Sequence, residues 1–421
     1  MELLKKPERR RWVIVVTIFL AIVFNYVDRQ LLSILKPLLE EEFHIGNEGY
    51  ALLVNIFTLC YALMYPVSGW LVDKFGARMV MFFGVITWGI ASIGGGLSRS
   101  FAQFGFFRGL LGLAEPTNFP SQIKAITVWF SGKLRATANS LTVAGGSIGA
   151  IIAPPLVAWI GIKHGWHHAF IWTGVVGIVL AFLWLIVYKD PPEHIAEEAA
   201  KSSGMSREHA FTWGGLWKTR SLWGVVLIRF ITDPLWYFCL FWLPGYLQEQ
   251  SGLTLAQIGM VGWIPFLLAD IGGVGSSAWS DRMVRRGKQP LQARKIMLTC
   301  TAVIAPLCIL VPYLPSAWST IVLFCFIGAM CVSWLYALGV VIAESFPVKN
   351  VSSVLGISGG FGAAGAVVFN FFIGHFLGSV GTENLFLVMA FLHPVAVVLL
   401  WTMIKPQHPK GMKSNPELQP V

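Results

Sequence analysis

Four charged residues lie in stretches of sequence that are otherwise apolar. Asp28 and Arg29 are adjacent in WVIVVTIFLAIVFNYVDRQLLSIL, and Arg108 and Glu115 are seven positions apart in FFRGLLGLAEPTNFP. A charge at the centre of a lipid bilayer costs roughly 3 kcal/mol on insertion scales, so such residues usually have a function. An arginine offers a planar fork for a carboxylate, and a buried carboxyl group can carry a proton. These residue types predict anion binding together with proton transfer.

The spacing of the four charges predicts how they pair. In a helix, Arg108 and Glu115 lie two turns apart on one face, about 10.5 Å along the axis. Asp28 and Arg29 point about 100° apart, so each needs its own partner. We expect Asp28 to lie near Arg108 and Arg29 near Glu115, across a contact of the first and fourth helices. The alternative is a buried ionic network that only joins helices, although buried ion pairs stabilise weakly.

The elements that position these charges are predicted to be membrane helices. The chain has 421 residues, of which 55% are hydrophobic and 12% charged, with a mean hydropathy of +0.66. A soluble protein carries about twice that charged fraction. Apolar runs long enough to span a bilayer begin near residues 12, 49, 78, 101, 135, 168, 222, 257, 294, 317, 351 and 383. The prediction is an all-α membrane protein with twelve transmembrane helices.

The distribution of basic residues predicts the orientation in the membrane. Of the 31 Lys and Arg residues, 25 fall on the side of the spans that carries both termini, three on the other side and three within spans. The positive-inside rule therefore places both termini in the cytoplasm. The net charge of +10 then faces the cytoplasm and anionic lipid, so no nucleic-acid partner is expected.

The chain divides into two similar halves. Asp73 in GWLVDKFGAR and Asp281 in SAWSDRMVRRG are 208 positions apart, and Ser147 in GGSIGA and Ser358 in SGGFGA are 211 apart. Such offsets indicate a duplicated six-helix unit with a substrate site between the repeats. The predicted boundaries are an N-terminal bundle at 1–188, a cytoplasmic linker at 189–221, a C-terminal bundle at 222–404 and a cytoplasmic tail at 405–421.

Several motifs resemble those of one transporter family. GWLVDKFGAR resembles the signature that follows the second helix in the major facilitator superfamily, and NYVDR, FFRGLLGLAEPTNFP and GGSIGAIIAPPLVAW resemble its anion:cation symporter branch. RFITDPLWYFCLFWLPGYL and PFLLADIGG look most like bacterial hexuronate and galactonate transporters. The resemblance implies the major facilitator fold, in a multi-pass protein of the bacterial inner (plasma) membrane. One departure is the stretch 141–144, LTVA, where relatives often place Asn or Gln.

The resemblance also assigns roles to individual positions. It implies proton coupling at Asp28 and Glu115 and anion binding at Arg29 and Arg108. The other candidate substrate-binding residues are Tyr26, Tyr61, Asn118, Trp236 and Ser358, and the candidate gating residues are Asp73, Lys74, Arg78, Asp281 and Arg282. Arg229 and Asp233 are four apart and are expected to pair with each other. For Asp270, a local structural role and a functional one stay open.

These observations predict a secondary active transporter. The expected activity is proton-coupled symport of an organic carboxylate, a sugar acid of the hexuronate or aldonate kind, by alternating access in a monomer. The alternatives are an exchanger or exporter of another organic anion and a non-transporting sensor, against which the short tails argue. An enzyme is not expected, since both G-x-S-x-G matches lie inside apolar spans. Neither a cofactor nor a metal is expected.

Overall fold

The first half of the chain consists of long helices. The computed structural model describes residues 7–130, 132–192, 195, 213–346, 348–379 and 382–405. Its N-terminal helices are α1 (Pro7–Ile34), α2 (Lys36–Phe43), α3 (Asn47–Gly96), α4 (Phe101–Ala114), α5 (Asn118–Trp129), α6 (Gly132–His164) and α7 (Trp166–Val187). Helix α3 contains two predicted spans, Asn47–Val72 and Lys74–Gly96. Gly76, at φ 79° and ψ 153°, bends the chain between them, because glycine tolerates positive φ.

The second half of the chain also consists of helices. Its helices are α8 (Trp213–Leu216), α9 (Arg220–Phe241), α10 (Leu243–Ser251), α11 (Leu255–Val261), α12 (Ile264–Arg285), α13 (Pro290–Ala302), α14 (Ala317–Ser345), α15 (Val348–Ser379) and α16 (Thr382–Met403). A 3-10 helix, Ala305–Tyr313, continues α13. Most of the predicted linker at 189–221, and the tail after residue 405, lie outside the described residues.

Eleven helical stretches in the described residues are long and apolar enough to cross a membrane. The remaining predicted span, which begins near residue 101, is divided between α4 and α5 by a 3-10 turn at Glu115–Thr117. Pro116 lies in this turn, and a proline removes a backbone donor and clashes with the preceding turn of a helix. The predicted all-α membrane fold is confirmed, and the twelve-helix count is consistent with it. The fourth span is a broken helix.

Small residues let helices of the first half approach closely. Helix α6 packs on α1, where a Cβ at Gly149 would collide with the carbonyl oxygen of Val23 and the Cβ of Tyr26. Gly112 of α4 similarly faces the carbonyl of Phe57 in α3. Membrane helices associate through such van der Waals contact, because lipid gives little hydrophobic driving force between them. The glycines therefore fix where α1 and α4 stand relative to their neighbours.

The two halves are joined at the side of the membrane away from the N-terminus. Lys36, which follows α1, is buried and forms ion pairs with Glu249 of α10 and, at 3.3 Å, with Glu40. Tyr50 of α3 donates a hydrogen bond to the carbonyl of Phe241 in α9. These contacts connect the first half to the second and close this side of the molecule.

We expect Gly149→Ala to lower the melting temperature of the purified protein. The added methyl group would force α1 and α6 apart, and overpacking of this kind costs about 1–3 kcal/mol. The control is Gly275→Ala in α12, where nothing lies within 4 Å of the added Cβ. Equal melting temperatures of the two variants would show that the α1–α6 contact does not limit stability.

Candidate functional site

The pairing expected of Arg29 and Glu115 is present. Nη2 of Arg29 lies 2.5 Å from Oε2 of Glu115, and Nε donates to the same oxygen at 3.2 Å. Glu115 is 3% exposed and begins the 3-10 turn that interrupts the fourth span. The turn thus holds the carboxylate against α1, inside the membrane-spanning region. The two opposite charges neutralise each other directly.

Aromatic rings surround the Arg29 guanidinium. Its central carbon lies 5.5 Å from the ring centroid of Tyr26, 5.7 Å from that of Phe57 and 5.0 Å from that of Tyr61. Such placement allows cation–π attraction, which is stronger where water is excluded. Tyr26 and Tyr61 therefore lie beside the charged pair, and a substrate role for both stays a prediction. Phe57 was missing from the sequence-based candidates because an apolar ring in an apolar run carries no distinguishing signal.

Arg108 is a buried cation that lacks a polar partner in the described part of the chain. Its side chain packs with the guanidinium carbon 4.7 Å from the Phe57 ring centroid, and the residue is 2% exposed. Among the described residues, none supplies a hydrogen-bond acceptor to Nε, Nη1 or Nη2. A buried charge without partners carries a desolvation penalty of several kcal/mol. The site therefore holds a positive group with unused hydrogen-bonding capacity.

The expected proximity of Asp28 and Arg108 is present, but the carboxyl group of Asp28 forms its hydrogen bonds with other residues. Oδ1 of Asp28 instead accepts hydrogen bonds from Ser92 of α3 and, at 2.8 Å, from Thr173 of α7. Its Oδ2 is buried and has no hydrogen-bond partner in the described part of the chain. Asp28 and Arg108 lie within electrostatic reach but do not form an ion pair. Two hydroxyl groups from neighbouring helices therefore hold one oxygen of the Asp28 carboxyl group.

The second half contributes polar groups of its own. The predicted pair of Arg229 and Asp233 is present, with Nε 2.8 Å from Oδ2. Trp236 packs edge-on against Phe266, with ring centroids 6.1 Å apart. Tyr237 of α9 lies within electrostatic reach of Arg29, which places the site between the two halves. A substrate role for Trp236 stays a prediction.

Two other candidates are enclosed by protein. Asn118, the first residue of α5, is buried, and its Oδ1 has no hydrogen-bond partner among the described residues. Ser358 is fully buried and donates to the carbonyl of Leu355 in its own helix at 3.2 Å. Asn118 thus retains an acceptor close in sequence to Glu115, whereas Ser358 has a local partner. Substrate roles for both stay predictions.

The candidate gating residues of the first half lie near the bend at Gly76. The Asp73 side chain falls outside the part of the structure that is described. Lys74 is exposed and lies over the Trp70 ring, with Nζ 4.8 Å from its centroid. Arg78 donates to the carbonyl of Leu185 at 3.0 Å, so this contact stays within the first half.

The gating candidates of the second half are Asp281 and Arg282. Asp281 pairs with Arg294 of α13 at 2.6 Å, and Arg294 also lies 3.5 Å from Glu344. Arg282 is exposed. The ion pairs of Asp281 therefore lie within its own half, and a gating role for all five candidates stays a prediction. In the described ranges no group of His, Cys, Asp or Glu could hold a metal ion.

We expect Thr173→Val to destabilise the protein more than Thr232→Val. Thr173 donates to Asp28 across helices, so its loss removes a partner from a buried carboxyl group, at about 1–3 kcal/mol. Thr232 is also buried but donates only to Ile228 of its own helix, which makes it a matched control. Thermal unfolding measures both variants. A smaller loss for Thr173→Val would contradict the assigned hydrogen bond.

Comparison with known proteins places this geometry in a family. The model of the Major Facilitator Superfamily matches residues 18–293 and 289–420. The chain is 27% identical over 414 residues to the hexuronate transporter of Escherichia coli (strain K12), which covers 96% of each chain. It is 32% identical over 274 residues to the galacturonate transporter of Dickeya chrysanthemi, covering 62% of this chain and 79% of that protein.

Solved structures share the same fold. A bacterial homolog of the human lysosomal transporter Spinster, in an inward-facing and occupied conformation, aligns with a TM-score of 0.74 at 17% identity, over 94% of this chain and 97% of that one. The D-xylose-proton symporter aligns with a TM-score of 0.73 at 14% identity, over 94% and 98%. The chain belongs to the major facilitator superfamily and is a multi-pass membrane transporter rather than an enzyme.

Proposed function

We propose that this transporter imports a sugar acid together with protons. The observation that carries the proposal is the Arg108 guanidinium, which is buried and lacks polar partners in the described residues. A planar guanidinium binds a carboxylate through two parallel hydrogen bonds. Relatives named as hexuronate, galacturonate and D-galactonate transporters support a sugar acid as the source of that carboxylate.

The arrangement of charges accounts for coupling of the anion to protons. Arg29 and Glu115 neutralise each other, so Asp28 is the nearby negative charge that remains to balance Arg108. A proton on Asp28 removes that balance and increases the attraction of the site for a carboxylate. By linkage, a bound carboxylate favours protonation of Asp28 to the same extent. Proton and anion therefore bind together.

Glu115 supplies a second point of coupling. Its protonation would release Arg29, whose fork can then turn toward the substrate among the rings of Tyr26 and Tyr61. The tyrosine hydroxyl groups and the unpaired Oδ1 of Asn118 offer hydrogen bonds to sugar hydroxyls. A loaded site with neutral carboxyl groups carries less buried charge, so closure of the halves around it costs less.

Alternating access requires the contacts between the halves to change. Opening toward the far side of the membrane must break the Lys36–Glu249 ion pair and the bond from Tyr50 to Phe241. With both termini in the cytoplasm, as the basic residues indicate, these contacts lie on the outer side of the membrane. We propose that a monomer in the bacterial inner membrane carries out this cycle.

We expect Arg108→Gln to weaken binding of D-galacturonate by at least about 30-fold, because truncating one partner of a buried charge pair costs about 2–5 kcal/mol. Titration calorimetry on the purified protein measures the affinity. The control is Arg99→Gln, an exposed arginine outside the site. Wild-type affinity in Arg108→Gln would refute the assignment of this guanidinium as the carboxylate site.

We expect Glu115→Gln to abolish accumulation of substrate driven by a pH gradient while counterflow stays measurable. The amide cannot exchange a proton, yet it preserves the shape of the site. Proteoliposomes preloaded with substrate measure counterflow, and proteoliposomes with an imposed pH gradient measure accumulation. Asp28→Asn should show a similar but milder defect. Glu42→Gln, at an exposed glutamate, is the control. Accumulation at the wild-type rate would exclude Glu115 as a coupling group.

A further inference from the structure

The second half contains a carboxylate that has no basic partner among the described residues. Oδ1 of Asp270, in α12, accepts a hydrogen bond from the Tyr336 hydroxyl of α14 at 2.7 Å. Asp270 is partly exposed, and within the described residues it forms no ion pair and no hydrogen bond through Oδ2. A local structural role for Asp270 would explain the hydrogen bond to Oδ1 but would leave Oδ2 unexplained. The second oxygen has unused acceptor capacity.

The surroundings of Asp270 place it at the boundary between the halves. Helix α12 packs against α6 of the first half, and Ser147 of α6 lies near Tyr336. Asp270 lies within electrostatic reach of Tyr26, whose ring packs against Arg29. Arg229, the basic residue that α9 brings to this region, is already paired with Asp233. The cations available to a substrate among the described residues are thus in the first half, and Asp270, which forms no ion pair among them, lies in the second half near Tyr26.

We infer that Asp270 recognises the end of the substrate remote from its carboxylate and selects sugar monoacids over diacids. The inference rests on the proposed function and deepens it. An ionised carboxylate only accepts hydrogen bonds, so Oδ2 can accept from a hydroxyl group of the substrate. A second substrate carboxylate at this position would meet a like charge with no free cation beside it. Specificity commonly depends on such a repulsive element.

The polarity of the site also fixes the direction in which the substrate lies. A monoacid with its carboxylate at Arg108 and hydroxyl groups toward Asp270 satisfies both ends. The reversed orientation would leave Arg108 without an anion and bring the carboxylate toward Asp270. One orientation is therefore strongly preferred, and each half of the protein contacts a chemically different part of the substrate.

A matched pair of ligands tests this inference on the full-length purified protein. D-Galactonate and galactarate differ only in the terminal group remote from one carboxylate, a primary alcohol in the first and a second carboxylate in the second. We expect the wild-type protein to bind D-galactonate at least about tenfold more tightly than galactarate by calorimetry, because like charges repel at close range. Asp270→Asn should reduce this ratio by about tenfold, chiefly by improving galactarate binding.

Two further variants separate specificity from structure. Tyr336→Phe removes the local hydrogen bond but keeps the charge, so preference for the monoacid should persist. Ser276→Ala removes the hydrogen bond that Ser276 of α12 makes to Ser333 of α14, 2.8 Å long, and should leave the ratio unchanged. It controls for general loosening of the same helix pair.

The outcomes distinguish this inference from the proposed function. Wild-type protein that binds galactarate as tightly as D-galactonate would overturn the inference without any variant. An unchanged ratio in Asp270→Asn would also overturn it, while leaving sugar-acid transport intact. If the wild-type protein binds neither ligand nor D-galacturonate, the proposed function and the inference both fail.

Discussion

The low polarity of the bilayer interior is the constraint on which the site depends. Water cannot solvate a charge there, so each ionised group must have a partner or remain costly. Arg29 and Glu115 form an ion pair, and one carboxyl oxygen of Asp28 accepts hydrogen bonds from two hydroxyl groups. Arg108 has no such partner among the described residues. The missing partner is what an anionic substrate can supply.

The backbone around these charges is shaped to bring them together. The proline-containing turn at Glu115–Thr117 interrupts the fourth span, so Glu115 leaves a regular helix at the point where it reaches Arg29. Gly112, one turn earlier, lets α4 approach the backbone of α3 at Phe57. Phe57 in turn lies beneath both guanidinium groups. One broken helix, one small residue and one ring thus set the spacing of the two arginines.

The two halves have different chemical tasks. The first contains the paired and unpaired arginines and both candidate coupling carboxylates. The second contains Asp270 with its tyrosine, and a basic residue already neutralised by Asp233. A duplicated architecture therefore holds an asymmetric arrangement of polar groups. The ion pair of Lys36 with Glu249 joins the two halves.

The sequence alone determined the membrane fold, the approximate positions of the spans and the identity of the buried charges. Runs of apolar residues and isolated charges within them are local properties, readable without knowing the packing. Helical spacing was also sufficient for the Arg229–Asp233 pair, since residues four apart share a helix face. Helical spacing also led to the Arg29–Glu115 pair, because the two charges on each predicted helix are placed so that each needs a partner on the other helix.

The tertiary structure alone decided the partners of Asp28 and Arg108. Ser92 and Thr173 are unremarkable residues in apolar helices, and they became significant when α3 and α7 brought their hydroxyl groups to one carboxyl oxygen. That packing gives Asp28 two hydroxyl partners, which the spacing of the charges did not predict. The position of Asp270 beside Tyr336 and near Tyr26 of the first half likewise follows from how helices pack. Contacts between residues distant in the chain depend on this packing, which local sequence patterns do not specify.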